Sequence, residues 1–100
     1  MEILQYTFQA LKPVKQKSHV GVVGSANLEV ILVPTNNNVS TVKITTKFDG
    51  NESIWEAILE IFFREHNCLA DIEINDFGAT PGVISLRLLQ ALEVANRDKE

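Results

Sequence analysis

The chain has 100 residues, 45% hydrophobic and 22% charged, with a formal net charge of −4. That is globular usage: it excludes a disordered chain, gives room for one domain (residues 1–100) with a real core, and is too short for two. The acidic balance speaks against nucleic acid, which needs a basic face, and the single cysteine, Cys68, excludes an internal disulfide or a cysteine-rich metal cluster.

Along the chain, Leu4, Tyr6 and Phe8 alternate with Gln5 and Thr7, the pattern of a half-buried strand. Residues 10–18 break it with Pro13 and three lysines. His19 to Val23 reads as a second strand and Leu28 to Val33 as a third, with Gly24-Ser25-Ala26-Asn27 as the turn of a hairpin between them. Pro34 to Asn38 is turn chemistry. Val39 to Phe48 is the clearest strand, with Val42, Ile44 and Phe48 on one face and Lys43, Thr45 and Lys47 on the other, so one side of the sheet meets water. Asp49-Gly50-Asn51 ends it. The glycosylation-like triplets Asn38-Val39-Ser40 and Asn51-Glu52-Ser53 read as polar turns.

The period then changes to that of a helix. From Glu52 to His66, Ile54, Ile58, Ile61 and Phe62 share a face, with Glu52, Glu56, Glu60 and Arg64 outside it. Ser53 and Glu56 have capping-box spacing. Ile72 and Ile74, set between Asp71, Glu73 and Asn75, form a fifth strand. Thr80 is placed as N-cap and Pro81 as first residue of a second helix, with Ile84, Leu88, Leu92 and Ala95 as its apolar stripe. The polar tail, Asn96 to Glu100, is expected to fray. The order β-β-β-β-α-β-α predicts an α+β fold: a mostly antiparallel sheet of about five strands with two helices on one face.

No apolar run approaches the roughly 18 residues that span a bilayer. The start, Met1 to Tyr6, lacks a secretory pattern, so no membrane association and a cytoplasmic location are expected. Charge is unevenly placed. Residues 1–50 carry five bases and three acids, and residues 51–100 carry four bases and ten acids. The acidic half reads as a solvated helical face or as a docking surface for basic partners.

Candidate chemistry is sparse. His19 and His66 lack metal-ligand spacing and read as surface or partly packed side chains. Cys68 has no activating charge nearby in sequence and reads as a buried thiol. Asp76-Phe77-Gly78 copies three letters of the kinase metal-binding motif, but no nucleotide loop or catalytic loop accompanies it. In a structural role, Phe77 fills the core and Gly78 turns the chain. Ser25 does not fit the Gly-x-Ser-x-Gly elbow. By itself, Gly24-Ser25 is a hairpin turn.

Two segments resemble a known family. Val20-Gly21-Val22-Val23-Gly24-Ser25-Ala26-Asn27-Leu28-Glu29-Val30 is similar to the prosthetic-group segment of the acyl-carrier (delta) subunit of bacterial malonate decarboxylase. Asn75-Asp76-Phe77-Gly78-Ala79-Thr80-Pro81-Gly82-Val83, followed by Leu86-Arg87-Leu88, resembles that family's second distinctive stretch. The resemblance implies that Ser25, beside Gly24, carries 2'-(5''-phosphoribosyl)-3'-dephospho-CoA through a phosphodiester, with the chain itself non-catalytic. It further implies that the group's thiol holds acetyl, exchanges it for malonyl, and presents the malonyl thioester for loss of carbon dioxide. The partners implied are acyl-transferase and decarboxylase subunits and a dedicated prosthetic-group transferase. Lys15 and Lys17 are candidates for holding the incoming precursor's phosphates. Ordinary acyl carrier proteins differ: their modified serine follows an aspartate at a helix start within a helical bundle. The competing readings are a citrate lyase-type carrier subunit and a structural adaptor whose acidic helices dock a partner.

Overall fold

A computed structural model describes residues 1–97. Seven strands and two helices follow in order: β1 (Glu2–Gln9), β2 (Lys12–Pro13), β3 (Ser18–Gly21), β4 (Leu28–Val33), β5 (Val39–Thr46), α1 (Glu52–His66), β6 (Cys68–Leu69), β7 (Asp71–Asp76) and α2 (Pro81–Ala95). Five of the strands form one sheet in the order β1-β5-β7-β4-β3. Every pairing in it is antiparallel except β5 with β7, which α1 joins as a crossover. The expected α+β architecture, with its mostly antiparallel sheet, is therefore the one that forms. The two-residue strands β2 and β6, which pair in parallel, are additions that no periodicity announces.

The period-2 pattern sets which face is covered. Leu4, Val42, Ile44, Ile72, Ile74, Leu28, Val30 and Leu32 are all buried and point to the same side, where both helices lie. Ala91 and Ala95 of α2 are fully buried, and their small size lets the helix approach the sheet closely. Ser18 Oγ donates to the Ala91 carbonyl at 2.7 Å, tying edge strand β3 to α2. Ser40 Oγ donates to the Cys68 carbonyl at 2.6 Å and accepts from the Ala70 amide at 3.0 Å, which satisfies the buried backbone where β6 passes into β7.

Several local expectations are corrected. The second strand ends at Gly21 and not at Val23, because Gly21 has φ +85° and turns the chain out of the sheet. The fourth long strand ends at Thr46, so Phe48 is exposed and does not share the face of Val42 and Ile44. In α1 the buried residues are Trp55, Leu59, Phe62 and Phe63. Ile54 and Ile61 are exposed instead. The helix is apolar around more than half its girth, and the bulk of the aromatic residues decides which part faces inward, with the Phe63 ring stacked on Phe8 at 4.4 Å between centroids. Asn51 is the N-cap of α1, which places Glu52 and Ser53 inside the helix, so neither a capping box at Ser53 nor a polar turn over 51–53 forms.

The second helix follows its sequence signals. The Thr80 side chain accepts from the Val83 amide at 3.3 Å, and Pro81 occupies the first turn. Asn96 caps the other end through its amide, and the expected fraying of the last three positions lies outside the described residues. The lysine-bearing segment 10–17 is more than a solvated loop, since it buries Ala10 and Val14. Its Lys15 and Gln16 amides donate to the Ala95 carbonyl at 3.1 and 3.0 Å.

The α1 orientation can be checked by truncation. Leu59→Ala should cost about 2–5 kcal/mol in urea unfolding, whereas Ile61→Ala should cost less than about 1 kcal/mol. Equal costs would return Ile61 to the core face.

Candidate functional site

The two segments that stand apart in the sequence meet at one end of the sheet. β4 leaves the hairpin loop at Leu28, which pairs with Asp76 at the end of β7. Beyond that rung the pairing continues through the loop itself. The Phe77 amide donates to the Asn27 carbonyl, and the Ala26 amide donates to the Phe77 carbonyl, both at 2.9 Å. Residue 77 therefore grips the turn that contains Ser25.

The turn closes on itself through the Asn27 amide, which donates to the Gly24 carbonyl at 3.1 Å. Ser25 and Ala26 are its central residues, and Ala26 has φ +59°. Left-handed backbone costs a non-glycine residue about 1–2 kcal/mol, so the turn relies on its bonds to Phe77. Ser25 is exposed, and its hydroxyl has no hydrogen-bond partner among the described residues. Val22 and Val23, just before it, are also exposed.

The two glycines of the loop differ in what they require. A Cβ on Gly21 would lie 2.1 Å from the Leu28 carbonyl oxygen, so only glycine permits this close pass. A Cβ on Gly24 would meet nothing within 4 Å. The space beside the Gly24 Cα is open.

The platform beneath the turn is built by Asp76. Its buried carboxylate accepts from Thr46 Oγ1 at 2.8 Å and from the Gly78 and Ala79 amides at 3.2 and 3.0 Å. Gly78, at φ +100°, turns the chain toward α2 as expected. Phe77 does not fill the core. It is only half-buried, and Lys47 Nζ sits 5.1 Å from its ring centroid.

Other candidate residues are accounted for elsewhere. His19 Nε2 contacts Glu29 Oε2 at 3.0 Å on the open face of the sheet. Asn75 Nδ2 donates to Glu29 Oε1 at 2.8 Å. The hydrogen bond from Asn75, and then that from His19, hold the Glu29 carboxyl below its ordinary pKa. His66 is half-buried with its ring 5.2 Å from that of Phe62. Cys68 is buried, and desolvation pushes its thiol up to about 11. Lys15 and Lys17 lie at the wrong end for Ser25. The segment that carries them bonds to Ala95 at the C-terminal end of α2, while Phe77 and the serine turn precede its N-terminal end. A 15-residue helix of about 22 Å separates the two.

The apolar cleft between the helices, lined by Ile58, Ile61, Phe62, Leu88 and Leu89, holds about 110 Å³. Small-molecule pockets usually hold about 300–1,000 Å³. Fold and site together define a small α+β scaffold that displays a loop on the rigid end of a sheet.

Comparison with known proteins agrees with that class. The family model described as malonate decarboxylase delta subunit (MdcD) matches residues 15–95. The malonate decarboxylase acyl carrier protein of Stutzerimonas stutzeri (strain A1501) is 44% identical over 99 residues, covering 98% of this chain and 100% of that one. The protein of the same name from Pseudomonas fluorescens (strain SBW25) is 42% identical with the same coverage. A chain in the crystal structure of a Pseudomonas malonate decarboxylase hetero-tetramer in complex with malonate superposes with a TM-score of 0.89 at 38% identity, over 95% of this chain and 99% of that chain. The chain belongs to the malonate decarboxylase delta-subunit, or acyl carrier protein, family.

The contact between Ala26 and Phe77 was not legible in the sequence. The only hint was that Asp76 closes an alternating strand and is followed by Gly78, a turn signal that says nothing of what the turn touches.

Two outcomes follow from the geometry. Gly21→Ala should destabilise the domain by at least about 2 kcal/mol, while Gly24→Ala should stay within about 0.5 kcal/mol, both by chemical denaturation. Cys68 should resist iodoacetamide at pH 8 in the folded chain and react once urea unfolds it, because burial disfavours the thiolate.

Proposed function

We propose that this chain is the acyl carrier subunit of a malonate decarboxylase and that Ser25 is the attachment point of 2'-(5''-phosphoribosyl)-3'-dephospho-CoA. The observation that carries the reading is a solvent-facing serine hydroxyl on a turn clamped to the sheet end, with open space beside Gly24. That geometry fits a covalently attached group: the oxygen is reachable, and a long arm leaving it meets no wall on the Gly24 side.

Loading needs one bond exchange. Ser25 Oγ attacks the activated phosphorus of the precursor, the O–P bond forms, and the bond to the leaving phosphoryl group breaks with its electrons. The hydroxyl proton passes to a base of the loading transferase, since His19 is engaged with Glu29. When bound, the group would supply a thiol on which acetyl is exchanged for malonyl, the acetyl leaving as acetate, and whose thioester would stabilise carbanion character as carbon dioxide departs. The chain supplies tether and delivery. A flexible arm raises the local acyl concentration toward roughly millimolar at each partner site, with no pocket required on the carrier.

The partners in this reading are the acyl-transferase and decarboxylase subunits of the complex and the prosthetic-group transferase. The name of the Pseudomonas hetero-tetramer supports assembly with other subunits. No helix among the described residues is long and apolar enough to cross a membrane, and the proposed site of action is the cytoplasm. The exposed glutamates of α1, Glu52, Glu56 and Glu60, support a second role in docking.

Intact-mass analysis of the chain co-expressed with its loading enzymes should show a cofactor-sized adduct that peptide mapping places on Ser25. Ser25→Ala should abolish both the adduct and malonate decarboxylation while leaving the fold intact. Decarboxylation that survives this substitution rejects the carrier reading in favour of an adaptor.

A further inference from the structure

Among the described residues, Lys47 is a lysine at the serine end of the sheet. It directly follows β5, and its amide donates to the Asp76 carbonyl at 3.3 Å, continuing the ladder for one more residue. Thr46 and Leu28 both pair with Asp76, so Lys47 and the serine loop leave the sheet from either side of the same rung. The Lys47 ammonium lies 5.1 Å from the Phe77 ring centroid. The backbone of that same phenylalanine holds Ala26 and Asn27 at 2.9 Å. One residue thus carries the lysine on its side chain and the serine turn on its main chain.

Three acids near this end of the sheet are already engaged. Asp76 accepts three hydrogen bonds within the fold. Glu29 is held by Asn75 and His19. Asp49 lies 3.7 Å from the amino group of Met1. Lys47 itself is exposed, and among the described residues its side chain rests on the face of an aromatic ring. An ammonium resting on a ring keeps its full charge and its remaining N–H donors for an anion. A point-like, rotatable donor suits a phosphate oxygen.

We infer that Lys47 binds the phosphate groups at the root of the arm carried by Ser25. The inference rests on the proposed attachment at Ser25 and replaces the assignment of that role to Lys15 and Lys17. Phe77 acts as the spacer that fixes where the ammonium waits. Lys43, within β5 on the same face, lies farther from the turn and serves as an internal control.

The direct test is lysine footprinting by limited acetylation, mapped by mass spectrometry on the unloaded and the Ser25-loaded chain. Loading should lower the Lys47 acetylation rate about fivefold or more, as expected for a charge-assisted contact, while Lys43 and Lys17 stay unchanged. Lys47→Gln should raise the transferase KM for the precursor several-fold with kcat little changed, and Lys47→Arg should keep most of the affinity. Equal Lys47 labelling in the two states, with the adduct present on Ser25, overturns the role of Lys47 and leaves the carrier reading standing. A wild-type chain that takes no adduct overturns both.

Discussion

A buried carboxylate with all its demands met organises the serine-bearing end of this molecule. Removing a charged group from water is costly unless hydrogen bonds replace the lost solvation. Asp76 obtains them from three places: a side chain of β5, and two amides of the segment leading to α2. Those bonds fix where β7 stops and where α2 starts. They also set residue 77, whose peptide groups grip the loop between β3 and β4. The position of the serine is therefore inherited from Asp76 through one residue.

Such an arrangement suits display better than enclosure. Among the described residues, both helices cover one face of the sheet and the core lies on that side. The chain spends its buried surface on holding the sheet flat against α1 and α2, and leaves the loop at the strand ends in solvent. A rigid base with a reachable tip is what a delivery device requires, since partners must approach the tip from many directions. In the proposed reading, the scaffold contributes position and the reactive chemistry belongs to the group on Ser25.

Much of the architecture was readable from residue order. Alternation at Leu4-Tyr6-Phe8 and Ile72-Ile74 found strands with one wet face, and Thr80-Pro81 marked a helix start, because each of these signals is local. Misreadings arose where a distant partner decides the outcome. The apolar stripes of α1 compete within one helix, and only the aromatic contact with β1 selects Trp55, Leu59, Phe62 and Phe63. Val22 and Val23 look like strand residues, yet Gly21 passes so close to the Leu28 carbonyl that the chain turns away before reaching them. At the site, Gly24 and Ser25 were visible as a turn. The clasp from Phe77 and the approach of Lys47 join residues about thirty to fifty positions apart, a separation that sequence spacing does not encode.

The left-handed alanine has an implication for recognition. A short peptide copying residues 20–30 would have no Phe77 to compensate for that backbone, and would relax into another shape. An enzyme that reads the contour of the turn would therefore read whether the far strand has docked. Ala26 in this way makes the tip of the hairpin a reporter on the maturity of the whole domain.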